Sequence, residues 1–178
     1  MGEADAIRCW CYDCGAPCTT NPDGVPTCAT HGERWKLIRS APCAEVLITR
    51  NDEALLVRRA NDPYRGCWEL PGGFSDRGEH PADTARREIA EELGVEVRLT
   101  GVLGVYFDPY LDDVAYVLTF LGEISDEPRP DPDEVAEAAW FPAGELPPTD
   151  QLVPGHADRV HDWQAGRTNI LGPMARDA

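Results

Sequence analysis

The segment from Pro71 to Gly94 constrains this chain more than any other. Pro71-Gly72-Gly73 closes a short apolar run, and a single well-bounded helical pattern follows. Pro81 suits the first helical position and Gly94 is a natural left-handed stop, so a helix is expected over residues 81–93. At about 100° per residue, Ala82, Ala85, Ile89 and Leu93 line up as an apolar stripe that can face a sheet. Glu88, Glu91 and Glu92 fall together on an adjoining face, where i, i+3 and i+4 spacing brings three carboxylates near one point. Like charges at that spacing cost a few tenths of a kcal/mol per pair on a bare helix, which Asp83–Arg87 and Arg87–Glu91 pairs partly offset. The spacing is compatible with a solvated acidic face. It is equally compatible with a site for a hard divalent cation such as Mg²⁺, which prefers carboxylate oxygen.

Around this helix the pattern is mostly strand. Residues 43–50 and 54–60 alternate as strands joined by a turn at Asn51-Asp52, and residues 67–70 form a shorter one. Residues 95–107 and 114–122 read as strands flanking a turn-rich stretch, 108–113. Residues 138–141 form a last short strand, and 158–164 a second helix with Val160 and Trp163 on one side. Several strands, one strong central helix and one late helix imply an α+β domain layered α/β/α. The expected organisation is a cysteine-rich segment over residues 1–39, the main domain over 40–150, and a C-terminal helix and tail over 151–178.

Charge narrows the partners. Of 178 residues, 32 are Asp or Glu and 16 are Lys or Arg, a formal net charge of −16. That sign and size oppose binding to a nucleic-acid backbone, whereas small nucleotides remain accessible because divalent metals bridge acid to phosphate. No run approaches the roughly 20 apolar residues of a membrane span, and the N-terminus lacks the basic and apolar regions of a secretory signal. The expectation is a cytoplasmic protein with neither a membrane nor a nucleic-acid partner.

Read together, Gly73, Glu79, Arg87-Glu88-Ile89, Glu91-Glu92 and Gly94-Val95 match G-x5-E-x7-R-E-U-x-E-E-x-G-U, where U is a bulky aliphatic. This resembles the signature of the Nudix hydrolases at all seven fixed identities and both aliphatic positions. The approach Gly66-Cys-Trp68-Glu-Leu-Pro71 and the closing Trp140-Phe141 also look like the family, and the likeness spans roughly residues 41–147. The resemblance implies a Nudix-type α/β/α sandwich, a mixed sheet between helices. It implies hydrolysis of a nucleoside diphosphate linked to a group X, giving a nucleoside monophosphate and phosphorylated X. It further implies Mg²⁺ (or Mn²⁺) held by Glu88 and Glu92, with Glu91 as a further ligand and the Gly73 carbonyl close to the cation. Arg87 would fix the acid rotamers, with Glu79 as its remote partner. For the general base the candidates are Glu91, Asp133, Glu134 and Glu137, and Glu134 resembles the late metal-binding glutamate of some members. Arg58 and Arg59 end a strand where they could meet a phosphate, and Tyr106, Phe107 and Tyr110 could stack on a base. Arg59 and Tyr110 are the substrate-binding candidates. Many relatives pair up, so a homodimer is compatible with the likeness, although no stretch of sequence announces one.

The first 39 residues carry a second motif. Cys11-x-x-Cys14-Gly15 and Cys28-x-x-His31-Gly32 each offer two ligands from a tight knuckle, with glycine accepting the left-handed turn. Three thiolates and one imidazole suit tetrahedral Zn²⁺ in a closed, structural shell. Cys9 or Cys18 could replace a member of the set. A segment this short has too little core to fold alone, which gives a metal staple a purpose. A zinc ribbon joined to such a domain resembles the NADH pyrophosphatase branch. That branch's Ser-Gln-Pro-Trp-type motif is absent, since the comparable stretch is Gly104-Val-Tyr106-Phe107-Asp108-Pro109-Tyr110. ADP-ribose, a dinucleotide and a nucleotide sugar all stay open as substrates. The alternatives are an NADH-preferring enzyme and a module that binds nucleotides without hydrolysing them.

Overall fold

The computed structural model describes residues 10–11, 13–22, 25–33, 41–76, 78–110 and 113–171, with backbone alone at 41, 109, 110, 113, 170 and 171. The chain divides into two compact units, Met1–Arg39 and Ser40–Ala178. The described part of the first holds three short antiparallel strands, β1 (Thr19–Thr20), β2 (Pro26–Cys28) and β3 (Gly32–Glu33), in the order β1-β2-β3.

The second unit is built on strands β4 (Ala41–Arg50), β5 (Glu53–Arg59), β8 (Val97–Tyr110), β9 (Asp113–Ile124), β10 (Val135–Pro142) and β11 (Ile170–Leu171). They are ordered β10-β5-β4-β9-β8-β11, with β6 (Trp68–Glu69) paired to β5 and β7 (Gly72–Phe74) paired to β4. The sheet is mixed, because β4 runs parallel to β9 while β5, β7 and β8 pair antiparallel. The β4–β5 turn is closed by Asn51 at φ 54°, a conformation asparagine tolerates better than most residues.

Alternation along β4 and β5 splits the core into two layers, as a period of two requires. Val46, Ile48, Leu55 and Val57 face the helix α1 (Pro81–Leu93), whose Ala85, Ile89 and Leu93 are completely buried against them. Leu47, Ala54 and Leu56 face the other way, into a cluster with Leu103, Tyr106, Val117 and Leu152, flanked by Ala157 and Trp163 of helix α2 (His156–Gln164). This is an α+β sandwich with the sheet between two helices. Burying Ile89 and Leu93 contributes on the order of 1.5–3 kcal/mol each. Before α1 the N-cap is His80, whose Nδ1 accepts from the Ala82 N–H. At the far end Gly94 adopts φ 61° and its N–H bonds to Ala90 O. The loop before β10 completes that end, with Arg129 N–H on Leu93 O (2.7 Å) and Asp131 N–H on Glu92 O (2.9 Å).

Several boundaries differ from the sequence reading. Gly72–Phe74 is a strand rather than a bare stop, and its close approach to β4 explains the glycine. A Cβ on Gly72 would lie 2.4 Å from both Ala44 O and Glu45 Cα. Strand β10 begins at Val135, ahead of the expected start at 138, because its backbone pairs with β5 whatever its side chains prefer. Strand β8 continues through the turn-rich residues to Tyr110, and α2 starts at His156, earlier than the apolar pattern suggests.

Helix α2 is fixed to the sheet by a buried charge. Arg159 is fully enclosed and binds Glu45 of β4 through Nε and Asp108 of β8 through its terminal nitrogens. Thr119 Oγ1 donates to Glu45 as well. Removing one partner of such a buried set leaves uncompensated charge. Arg159→Met is therefore expected to cost about 3–5 kcal/mol in urea unfolding. A loss below about 1 kcal/mol would show that the carboxylates find other partners.

Candidate active site and cysteine cluster

A cavity of about 530 Å³ opens beside α1. Its lining includes Glu88, Glu91 and Glu92 from α1, Gly72, Gly73 and Phe74 from β7, and Glu134 from the loop before β10. Glu45, Arg59, Glu69 and His156 also line it. The helix delivers its acids one turn apart because its apolar stripe is held on the sheet by Ile89 and Leu93.

Arg87 is the hub of the acidic cluster. Its Nε and one terminal nitrogen grip both oxygens of Glu79 at 3.0 Å each. The other terminal nitrogen donates to Glu88 and Glu91, both at 2.8 Å, and a further bond of 3.0 Å reaches Phe74 O. Glu79 also accepts from the Thr84 hydroxyl (2.9 Å) and the Asp76 N–H (3.0 Å). The bonds from Arg87, then the Asp76 N–H, hold the Glu79 carboxyl down to about 2. Glu91 is the outlying acid, with its side chain 55% exposed.

Glu92 is the opposite case. It is buried, and its one hydrogen-bond donor among the described residues is the Gly72 N–H, at 3.0 Å. Burial, with Glu69 and Glu88 nearby, pushes its carboxyl well above the ordinary range. Glu88 is raised as well, by burial opposed by Arg87. Glu69, buried beside Arg59, is pushed up to about 7. A carboxylate group so short of positive charge suits a hard cation, since divalent metals take oxygen ligands and favour the ionised form. Gly73 makes room for this arrangement, because a Cβ there would lie 2.5 Å from Glu88 Cδ.

The other candidates divide. Arg59 lines the cavity, but its terminal nitrogen is 2.7 Å from Glu69 and its Nε donates to Pro63 O. Arg58 pairs with Glu137 at 3.0 Å, and neither lines the cavity. Asp133 is also absent from the lining, while Glu134 is present. The Tyr110 side chain lies outside the described residues. Tyr106 is buried, with its hydroxyl on Asp162, and Phe107 packs edge-on against Tyr116 at 5.2 Å between ring centroids. Sequence reasoning did not single out Glu45, Glu69 or His156. Glu45 and Glu69 sit inside apolar runs, where burial of a charge is the only signal, and His156 lies far along the chain.

In the N-terminal unit Cys11, Cys14, Cys28 and His31 place their ligand atoms within 4.8 Å of one another. Cys14 and Cys28 sulfurs are 3.8 Å apart, and His31 Nδ1 is 3.4 and 3.7 Å from the sulfurs of Cys11 and Cys28. These are edges of a tetrahedron, since four ligands about 2.3 Å from a centre stand roughly 3.8 Å apart. They are too long for a disulfide, whose sulfurs lie about 2.05 Å apart. Burial opposes the Cys11 thiolate, but the Asp13 and Cys14 backbone N–H groups hold it down to about 6. Cys28 is lowered by the N–H groups of His31 and Thr30. The donor set and its spacing fit zinc. Cys18 stands outside the group, and Cys9 lies outside the described residues.

Comparison with known proteins gives the same family by independent routes. The NUDIX domain model matches residues 39–163. An ADP-ribose pyrophosphatase from Methanocaldococcus jannaschii is 32% identical over 128 residues, covering 71% of this chain and 74% of that protein. The NAD-capped RNA hydrolase NudC of Pseudomonas fluorescens is 32% identical over 155 residues, covering 83% of this chain. The chain spans 55% of that relative's length. A NUDIX hydrolase from Nitrosomonas europaea superposes with a TM-score of 0.78 over 93% of this chain and 98% of its own, at 24% identity. A MutT NUDIX hydrolase from Burkholderia pseudomallei gives 0.65 at 28% identity, over 70% of this chain and 98% of its own. The chain belongs to the Nudix family and is a Nudix diphosphohydrolase.

Proposed function

We propose that the protein hydrolyses the diphosphate of a nucleoside diphosphate linked to X, of the ADP-ribose or dinucleotide type, with Mg²⁺ or Mn²⁺ held by Glu88 and Glu92. The observation that carries this reading is the convergence of Glu88, Glu91, Glu92 and Glu134 on one cavity in which Glu92 is buried without a cationic partner. The names of the relatives support the substrate class, and the net charge of −16 favours a small ligand over an RNA body.

Held by Glu88 and Glu92, a divalent cation would supply neutralisation of the diphosphate oxygens and would lower the pKa of a nearby water. The chain's own groups do the rest. Glu88 and Glu92 would supply oxygen ligands, and Arg87 with Glu79 holds the rotamers. Water attacks phosphorus, the bridging P–O bond breaks, and its electron pair leaves on the bridging oxygen. The proton passes to a cavity carboxylate. Glu134 and Glu91 are the two base candidates that line the cavity, and Glu134 is the one not engaged by Arg87. The Cys11, Cys14, Cys28 and His31 set would hold a structural Zn²⁺, closed to substrate by its four protein ligands.

Two substitutions test these assignments. Glu92→Gln keeps an acceptor for the Gly72 N–H while removing the charge. Mg²⁺-dependent turnover, followed by release of nucleoside monophosphate, should fall about a thousandfold, the scale of losing a transition-state charge stabiliser. The melting temperature without metal should be unchanged or higher, since a buried charge is gone. Retained turnover would remove Glu92 from the ligand set. Cys14→Ser should lower bound zinc, measured by mass spectrometry, from about one per chain toward none. It should also lower the melting temperature, while turnover of the folded protein persists. Loss of catalysis in a folded, zinc-free variant would overturn the structural role.

A further inference from the structure

Two buried side chains lining the same cavity each keep one polar atom without a hydrogen-bond partner among the described residues. Glu45 is 3% exposed and His156 7%. Arg159 and Thr119 both bind Glu45 through Oε1, leaving Oε2 3.7 Å from His156 Nδ1. That nitrogen already accepts the Leu70 N–H at 3.0 Å, so it carries no proton and cannot donate to Oε2. The ring proton therefore sits on Nε2, which has no acceptor among the described residues. Burial and the nearby Arg159 keep His156 neutral, well below its ordinary pKa. Among the described residues the one fully enclosed polar side-chain atom without a partner is Trp140 Nε1. Glu45 Oε2 and His156 Nε2 are thus reached from the cavity that both residues line.

Resting on the reading above, we propose that Glu45 and His156 together recognise a planar edge of the substrate in which an NH₂ group adjoins an acceptor. The carboxylate oxygen can only accept and the imidazole N–H can only donate, so the ligand must offer a donor to Glu45 and an acceptor to His156. Phosphate offers acceptors alone and is disfavoured beside Glu45. The adjacent wall is apolar and comes from neighbouring strands, with Cys43 of β4 in register with Val117 of β9 and Ala115 two residues away. Such a surface suits a flat ring better than a puckered sugar. Two parts of a dinucleotide carry this edge: the amino group and ring nitrogen of adenine, and the carboxamide of nicotinamide.

Calorimetry on the full chain without added Mg²⁺ compares ADP-ribose with its hypoxanthine counterpart, and NAD with nicotinic acid adenine dinucleotide. Hypoxanthine reverses the donor and acceptor of the edge, and the nicotinate replaces NH₂ with an anionic oxygen beside Glu45. One analogue should bind at least about tenfold more weakly than its parent, because a site built for a hydrogen bond rejects its inverse. Loss on the hypoxanthine arm assigns adenine, and loss on the nicotinate arm assigns the carboxamide. Both analogues within about threefold of their parents, or no binding by any of the four, would overturn the inference. In His156→Ala, checked for folding by its melting temperature, the discrimination should shrink below about threefold. Persistence in a folded variant overturns the inference as well, and the wild-type comparison decides it alone should the variant not fold. Discrimination without Mg²⁺-dependent hydrolysis would count against the proposed function and leave this recognition intact. Hydrolysis of all four with no discrimination would do the reverse.

Discussion

The arrangement of the acids depends on Arg87. Three carboxylates on one helical face repel, and without a cation among them the rotamers would splay into solvent. One guanidinium, whose planar fork carries five donors, takes both oxygens of Glu79, one each from Glu88 and Glu91, and the Phe74 carbonyl. It thereby ties α1 to the segment that follows β7 and settles which acids remain available. Glu91 is engaged at the rim, Glu88 is shared, and Glu92 is left buried facing the glycine turn. A lysine, with a single compact charge, could not reproduce that division.

Much of the fold was legible because it obeys simple periods. The α1 stripe, the β4–β5 hairpin and the two long strands follow from alternation and from Pro81 and Gly94. What escaped was decided by backbone pairing. Strand β7 exists because Gly72 lets the chain lie against β4, and β10 starts among acidic residues because β5 offers it an edge. The acids on α1 were legible as a group because helical spacing puts them there. Their different fates were not, since burial of Glu92 and exposure of Glu91 depend on what α1 packs against.

The burial of Glu45 was invisible for another reason. Glu45 sits between Ala44 and Val46 in a run that reads as plain strand, and only the register with β9 and the arrival of Arg159 from α2 explain a charge there. Contacts separated by 114 positions, as between Arg159 and Glu45, leave no local pattern. The cysteine cluster is the contrary case. Two knuckles with fixed internal spacing specify a four-ligand set without long-range information.

The loop that finishes α1 has an effect on evolvability. Its backbone amides at Arg129 and Asp131 cap the helix carbonyls, and the Val135 N–H bonds back to Asp131 O (2.8 Å) before β10 begins. The stretch from 129 to 135 therefore acts as a gauge block between the helix terminus and the sheet edge, and Glu134 rides on it. Insertions and deletions can accumulate ahead of Arg129 without disturbing the acid's position. A single residue gained or lost after it would swing Glu134 off the cavity, so drift in this lineage should be confined to the upstream half of the loop.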